Sequence, residues 1–256
     1  MTTKISISVV SHGHINLIND LLHDIDTCCR VVPIELILTL NLEEDLPFAE
    51  DSFSFPIKII RNAAPLGFSV NHNQAFSRSN GEFFCVMNPD VRLKENPFPT
   101  LITCLQVTSV GVAAPLVINP DGELEDSARR FPTPLRILCK AFGGCKGSDY
   151  VVNNEVIYPD WVGGMFMLFC REVFEKLGGF NERYFLYYED VDLCARLRLQ
   201  GHEVALCPRV KVIHHAHRSS HTSVKFLKWH LTSMLRFFCS PPFLKICWLR
   251  LAKRFS

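Results

Sequence analysis

The sequence predicts an α/β fold: a mostly parallel, doubly wound central sheet with flanking helices, followed by C-terminal amphipathic helices. Three observations predict it. Short runs rich in Ile, Leu and Val alternate with helix-length segments through residues 1–117, the rhythm of consecutive β-α-β units. Several of these runs are apolar at successive positions, as strands covered on both faces must be. Near the C-terminus, two tracts carry apolar residues at three-to-four spacing with Lys and Arg between them, the pattern of surface helices.

Element by element, Ile5–Ser11 reads as a first strand and Ile15–Cys28 as a helix. Ile34–Asn41 reads as a second strand, followed by a polar loop to Ser54. Ile57–Asn62 is a third strand, and Ser69–Arg78 a helix closed by Ser79-Asn-Gly81. Phe83–Met87 is a fourth strand. It stops at Asn88-Pro-Asp90, because Pro89 removes a backbone donor and biases Asn88 toward extended geometry. A helix near Pro97–Val107 and a strand at Gly111–Val117 follow. From Leu116 the rhythm gives way to loops, with a turn at Asn119-Pro-Asp-Gly122 and a basic, Pro-bounded segment at Ser127–Pro134. Asp160–Cys170 reads as an apolar strand preceded by Trp161 and two glycines. Arg171–Leu177 is a short helix ended by Gly178-Gly179. Helical spacing of Val191, Leu193, Cys194 and Leu197 marks a last core helix stopped at Gly201. The strand at Val210 opens into His214, His215, His217 and Arg218.

Composition excludes several functions. The chain has 256 residues, 48% hydrophobic and 21% charged, with a formal net charge of +1; that balance is globular and argues against a general nucleic-acid binder. The eleven cysteines are scattered, without a Cys-x-x-Cys pair, and several lie inside apolar runs. This fits buried thiols in a reducing cytosol rather than a disulfide framework. The N-terminus enters a strand directly, so no signal peptide is expected. No apolar run reaches about 18 residues, so no bilayer span is expected. The phosphate cradles of dinucleotide-binding and P-loop proteins are absent.

Charge is unevenly placed. After Glu203 there is no Asp or Glu but ten Lys and Arg. Lys225–Ser256 mixes those cations with Phe, Trp and Leu in two helical pieces flanking Pro241-Pro242. This reads as a basic amphipathic segment on an anionic membrane surface; a helix pair docked on the domain with solvated cations is the other reading.

Three clusters bear chemistry. Asp90 ends the fourth strand, where open α/β sheets bind ligands, although Asn-Pro-Asp is also an ordinary turn. Glu189-Asp190 begins a helix behind the aromatic stretch Phe185-Leu-Tyr-Tyr188. Acids in a first turn are ordinary helix signals, and Asp192 pairs with Arg196 at i+4 spacing. A carboxylate in a partly apolar cleft is also suited to act as a general base. The His group lacks the partner pair of a zinc site; one His joining distant carboxylates around a divalent ion fits the chain better.

With these motifs in place, the chain resembles the inverting, family 2 glycosyltransferases of GT-A fold, and within them the rhamnosyltransferases of bacterial O-antigen and cell-wall assembly. The resemblance covers nearly the whole chain. It is carried by Val10-Ser-His-Gly-His14, Leu66–Asn73, Asn88-Pro-Asp90, Arg130-Phe-Pro132 and Asp160-Trp-Val-Gly-Gly164. It continues through Gly178-Gly-Phe-Asn-Glu182, Tyr184–Cys194, His214–Ser219 and Lys228-Trp-His-Leu231.

The resemblance implies a GT-A domain over 1–220, with a nucleotide-sugar-binding half (1–117) and an acceptor and catalytic half (118–220). A membrane-associating segment at 221–256 would place the chain on the inner face of a bacterial plasma membrane, peripheral and cytoplasmic. Asp90 would hold Mn2+ or Mg2+ against the donor's diphosphate, with His214 as second protein ligand; Asn88 stands where another acid often does. Asp190 would be the general base and Glu189 its support. Ser11, Asn41, Gly67, Asn71, Asn73, Asn88, Arg130 and Arg218 would join Asp90 along the donor. Trp161, Gly163 and Gly164 would line the sugar and acceptor pocket. Leu40 stands where the family usually has an Asp that contacts the base, leaving Asn41. The expected reaction moves L-rhamnose from dTDP-β-L-rhamnose to a polyprenyl-diphosphate-linked N-acetylglucosamine. A UDP-sugar donor, or a binding protein without catalysis, are the alternatives; no nucleic-acid partner is expected.

Overall fold

The computed structural model describes residues 4–141, 144, 147–215 and 224–252. In the first half, β1 (Ile5–Ser11), α1 (Ile15–Cys28), β2 (Ile34–Leu40), β3 (Ile57–Arg61), α2 (Phe68–Ser77) and β4 (Phe83–Met87) follow the expected rhythm. After them come β5 (Val91–Arg92), α3 (Phe98–Leu105), β6 (Val110–Ile118), β7 (Ala128–Arg129) and α4 (Pro134–Ala141). The remainder is β8 (Trp161–Val162), β9 (Phe166–Cys170), α5 (Arg171–Lys176), α6 (Glu189–Leu199), β10 (Glu203–His214), α7 (Val224–Phe238) and α8 (Pro241–Ala252).

Eight strands form one sheet in the order β3-β2-β1-β4-β9-β6-β10-β5. The pairs β3-β2, β2-β1, β1-β4 and β6-β10 are parallel, while β9 runs antiparallel to both β4 and β6. The short β5 is antiparallel to the end of β10. Every residue of β2 is buried, which explains its unbroken apolar character: alternate side chains enter cores on opposite faces. On one face Ile5, Ile7, Leu36, Leu38 and Met87 meet Leu21, Leu22 and Leu101 of α1 and α3. On the other, Ile37, Phe84, Val86, Met167 and Phe169 meet Phe174 of α5 and Leu193 of α6. Phe237 of α7 and Phe243 and Ile246 of α8 belong to this second core, so the helix pair packs on the domain through one face.

Three local differences from the sequence expectation matter for the site. The apolar strand preceded by Trp161 and two glycines is β9, but Trp161–Val162 is itself a short strand paired with Ala128–Arg129, and the chain turns at 163–165 between the two. Period-two patterning cannot see a break between two apolar pieces of similar character. Pro241 and Pro242 open α8 instead of separating two helices, as the first turn tolerates residues without an N–H. The segment from 119 to 141, expected as loop, contains β7 and α4. Both are too short for a periodicity to register.

Candidate active site

The antiparallel insertion of β9 brings two distant carboxylates to one rim. Because β9 opposes β4, it begins where β4 ends, and the Asn88 N–H donates to the Met165 carbonyl at 2.9 Å. One residue earlier, the Gly164 N–H donates to Asp190 Oδ2 at 3.0 Å. A single turn, Gly164–Met165, is thus bonded on one side to the Asn88-Pro-Asp90 segment and on the other to the start of α6.

Asp190 occupies the first turn of α6, where its Oδ1 also accepts the Val191 N–H at 2.8 Å. Orphan amides of a helix N-terminus favour negative charge at this position. Its neighbour Glu189 is buried, and Glu189 Oε2 has no hydrogen-bond partner. Burial and the charge of Asp190 push the Glu189 carboxyl well above the usual range. Asp190 is also raised, by burial, against the opposing pull of the Val191 and Gly164 amides and the charge of Arg129. Of the two, Glu189 is held further toward its protonated form, since its Oε2 has no partner while Asp190 accepts two backbone amides and faces Arg129. Asp192 is fully buried and its Oδ2 receives Arg196 Nε at 2.7 Å; the same guanidinium donates to the carbonyls of Leu177 and Gly179. That acid ties α6 to the Gly178-Gly179 turn, as its i+4 spacing suggested.

The residues before α6 are held in an unusual conformation. Tyr187 and Tyr188 both lie in the left-handed region, with φ of 70° and 67°. For non-glycine residues this costs roughly 1–3 kcal/mol each, so surrounding contacts must impose it. One such contact is close approach to Gly67: a Cβ there would lie 2.7 Å from the Phe185 carbonyl oxygen. Next to it, the Phe68 N–H donates to that carbonyl at 2.8 Å.

At the other end of the rim, Asp90 and His214 face each other, with His214 Nε2 3.4 Å from Asp90 Oδ1. That oxygen is buried and has no hydrogen-bond partner. The opposite ring nitrogen, Nδ1, lies 2.8 Å from Glu125 Oε2. Burial lowers the imidazole's proton affinity, but Asp90 and Glu125 together outweigh it and raise the pKa. Cis ligands of a small divalent ion at ~2.0–2.1 Å stand about 3 Å apart, so this pair suits one edge of a coordination shell. A carboxylate on the remote nitrogen of a metal-binding His is the usual orienting partner. Among the described residues no group of three or more His, Cys, Asp and Glu converges on one point, so a bound ion would draw its remaining oxygens from a diphosphate and water.

Of the donor residues expected from sequence, Ser11, Asn41, Gly67 and Asn71 gather near the ends of β1, β2 and β3, while Asn88 and Asp90 follow β4. Asn41 Oδ1 accepts from Leu66 N at 2.8 Å and Asn62 Nδ2 at 2.9 Å, and Asn41 Nδ2 donates to the Leu66 carbonyl at 2.9 Å. Asn62 Nδ2 also reaches Asn71 Oδ1 at 2.7 Å, and Asn71 Nδ2 donates to the Leu66 carbonyl at 3.2 Å. Asn41 and Asn71 therefore shape the Leu66–Gly67 turn. Buried Ser11 Oγ accepts the His14 N–H at 3.1 Å, and Glu44 accepts the Gly13 and Ile15 amides at 3.0 Å each. Asn73 is farther along α2 and is tied to Phe180 and Glu182, beside the Gly178–Glu182 turn.

Of the expected acceptor residues, Gly163 donates its N–H to the Ser127 carbonyl and Gly164 touches Asp190, while Trp161 Nε1 donates to the Arg130 carbonyl at 3.1 Å. The guanidinium of Arg130 lies over Tyr150 at 5.8 Å, whereas that of Arg129 lies over Trp161 at 5.6 Å and acts on Asp190. Arg218 falls outside the described residues. Glu125 and Arg129 are the additions the sequence reading missed. For Glu125 a signal existed: the Asn119–Gly122 turn folds the chain back as a hairpin, and Glu125 N–H bonds to Val117 at the end of β6, next to β10.

Comparison with known proteins places this geometry. A family model described as the N-terminal domain of galactosyltransferase matches residues 150–222. Rhamnosyltransferase WbbL of Escherichia coli (strain K12) is 26% identical over 245 residues, covering 90% of this chain and 91% of that protein. The N-acetylglucosaminyl-diphospho-decaprenol L-rhamnosyltransferase of Mycobacterium tuberculosis (strain ATCC 25618 / H37Rv) is 27% identical over 196 residues, 68% of this chain and 64% of that one. Among solved structures, the Pyrobaculum calidifontis mannosyltransferase PcManGT in complex with GDP-Man and Mn2+ aligns with a TM-score of 0.62 at 18% identity. That alignment covers 96% of this chain and 68% of that one. GalNAc-T7 with UDP, GalNAc and Mn2+ aligns with a TM-score of 0.65 at 14% identity, covering 84% and 44%. The fold is the GT-A fold, and the chain is a glycosyltransferase.

Proposed function

We propose that the chain transfers L-rhamnose, with inversion, from dTDP-β-L-rhamnose to a polyprenyl-diphosphate-linked N-acetylglucosamine in cell-surface polysaccharide assembly. The observation that carries this reading is the Gly164–Met165 turn, bonded at once to Asn88 and to Asp190. It links the Asn88-Pro-Asp90 segment to the Asp190 carboxylate, which supports assigning diphosphate neutralisation to the one and base catalysis to the other, the division that in-line displacement requires. The transferred sugar and the acceptor class are those in the names of the E. coli and mycobacterial relatives; the dTDP nucleotide is what the sequence resemblance implies.

In this reading Asp190 accepts the proton of the acceptor hydroxyl as it attacks the anomeric carbon. Its two backbone partners aim the carboxylate, and protonated Glu189 keeps a second negative charge away from it. Asp90 and His214 would hold Mn2+ or Mg2+, which when bound offsets the charge of the departing diphosphate. Asn41, Asn71 and Ser11 shape the loops against the nucleotide; Gly67, Asn73, Asn88, Arg130 and Arg218 complete the proposed donor side, and Trp161, Gly163 and Gly164 the acceptor side. The outward faces of α7 and α8, with Leu227, Leu231, Leu235, Leu244 and Trp248 exposed among Lys and Arg, would lie on the anionic cytoplasmic membrane surface where a lipid-linked acceptor is held.

The test is a panel of nucleotide sugars with lipid-linked N-acetylglucosamine and Mg2+ or Mn2+. Transfer of rhamnose from the dTDP donor, lost by about 10²- to 10⁴-fold in Asp190→Asn with donor binding retained, is the expected result. Transfer from a UDP-sugar instead would reassign the donor, and undiminished turnover in Asp190→Asn would remove Asp190 as the base.

A further inference from the structure

The segment Phe185–Tyr188 adopts a turn that its own residues do not favour. Two consecutive tyrosines sit at positive φ, without the Gly or Asn that usually occupies such positions. The conformation is therefore imposed from outside, and α7 lies along the segment with one face. Trp229 packs against Phe185 with ring centroids 4.7 Å apart and the rings tilted by 35°. Ser233 Oγ donates to the Leu186 carbonyl at 2.9 Å. His230 contacts the rings of both Tyr187 and Tyr188, at 5.3 and 5.5 Å, and Phe237 packs on Tyr188 at 5.7 Å. Each of the four residues before Glu189 meets α7.

These contacts use the inward face of the helix alone. Ser233 and Phe237 are buried, and Trp229 and His230 are partly buried at the spacing that keeps them on one side. The aliphatic residues Leu227, Leu231 and Leu235 lie exposed on the opposite side. The helix thus has a second role, separable residue by residue from any contact with a membrane.

We propose that Trp229 and Ser233, with His230, are positioning residues for Asp190: they brace the Phe185–Tyr188 turn and so fix where the carboxylate stands against Gly164. The proposal rests on Asp190 as the base. Its logic is mechanical. Tyr188 caps α6, Asp190 is two residues on, and the turn is clamped between α7 on one side and Phe68 N–H on the other. Loosening the α7 side lets α6 begin elsewhere, and displacement of a catalytic group by about 1 Å costs up to about 10²-fold in rate.

The experiment measures steady-state kinetics of full-length Ser233→Ala, Trp229→Ala, Trp229→Phe and Asp190→Asn, with thermal melts of each. Trp229→Ala and Ser233→Ala should lose about 10- to 100-fold in kcat with the donor KM within about twofold of wild type. Trp229→Phe, which keeps a ring over Phe185, should recover most of the loss. Unchanged kcat in Trp229→Ala and Ser233→Ala, or equal losses in the Phe and Ala variants, would overturn the proposal. Should Trp229→Ala not fold, Ser233→Ala decides, since it deletes one oxygen. Full turnover in Asp190→Asn would instead overturn the base assignment, independently of the bracing.

Discussion

Glu125 holds His214 by its Nδ1, at 2.8 Å, and in doing so presents Nε2 to Asp90. When a cation displaces the Nε2 proton, the ring keeps its other proton on Nδ1 toward Glu125, and Nε2 and Asp90 Oδ1, 3.4 Å apart, can share the cation.

Removing that orienting carboxylate should weaken metal binding without touching either ligand. Glu125→Ala is expected to lower Mn2+ affinity by about 10- to 100-fold, read from the free Mn2+ signal in electron paramagnetic resonance with a dTDP-linked donor present. His214→Ala should lower it at least as far. Wild-type affinity in both variants would mean that the rim binds diphosphate without a protein-held ion at His214.

Arg129 should set the acid limb of the pH–rate profile. Its charge opposes the effect of burial on Asp190, so it keeps the carboxylate ionised at lower pH than burial alone would allow. Transfer requires the ionised base and falls as pH drops through its pKa. In Arg129→Gln that fall should occur at higher pH, with a plateau at alkaline pH close to wild type. A limb that does not move would separate Arg129 from the base.

Glu189 makes a prediction about stability. Its carboxyl pKa is raised in the folded chain by burial and by Asp190, so its contribution to folding is full below about pH 4.3, the ordinary Glu value. The contribution is lost as pH rises through the folded-state value. Glu189→Gln keeps the shape and cannot ionise. Denaturant unfolding at a series of pH values should show the variant gaining stability relative to wild type as pH increases; a constant difference would mean that Glu189 is not proton-bearing in the fold.

The outward stripe of α7 should govern membrane contact. Leu227, Leu231 and Leu235 are 49%, 44% and 61% exposed, so a Leu227→Ser/Leu231→Ser/Leu235→Ser variant should melt near the wild-type temperature. It should, however, fail to sediment with phosphatidylglycerol-containing vesicles. Undiminished sedimentation would place the membrane contact elsewhere or remove it.

The sequence shows the parts of the site that end long elements. Asp90 closes an apolar strand, and Asp190 opens a helix in a run of specific residues, so both positions were readable. Arg129 was not, because Arg129 and Arg130 are adjacent and only the two-residue pairing of Ala128–Arg129 with Trp161–Val162 decides which guanidinium lies over Trp161. Two helices near the C-terminus were equally readable, but their orientation was not. α7 carries apolar residues on both sides, aromatic toward the domain and aliphatic outward, and periodicity alone cannot rank two apolar faces. The positive φ of Tyr187 and Tyr188 left no trace in residue type, because tertiary packing imposes it.

The bracing helix also decides what a damaged chain can do. α7 begins at Val224, beyond β10, so a protease cutting between them leaves the loops at the ends of β1, β2 and β3 but takes away the cover over Tyr188. On the proposed reading such a fragment would lose the support of the Asp190 position together with Phe237, Phe243 and Ile246 of the second core.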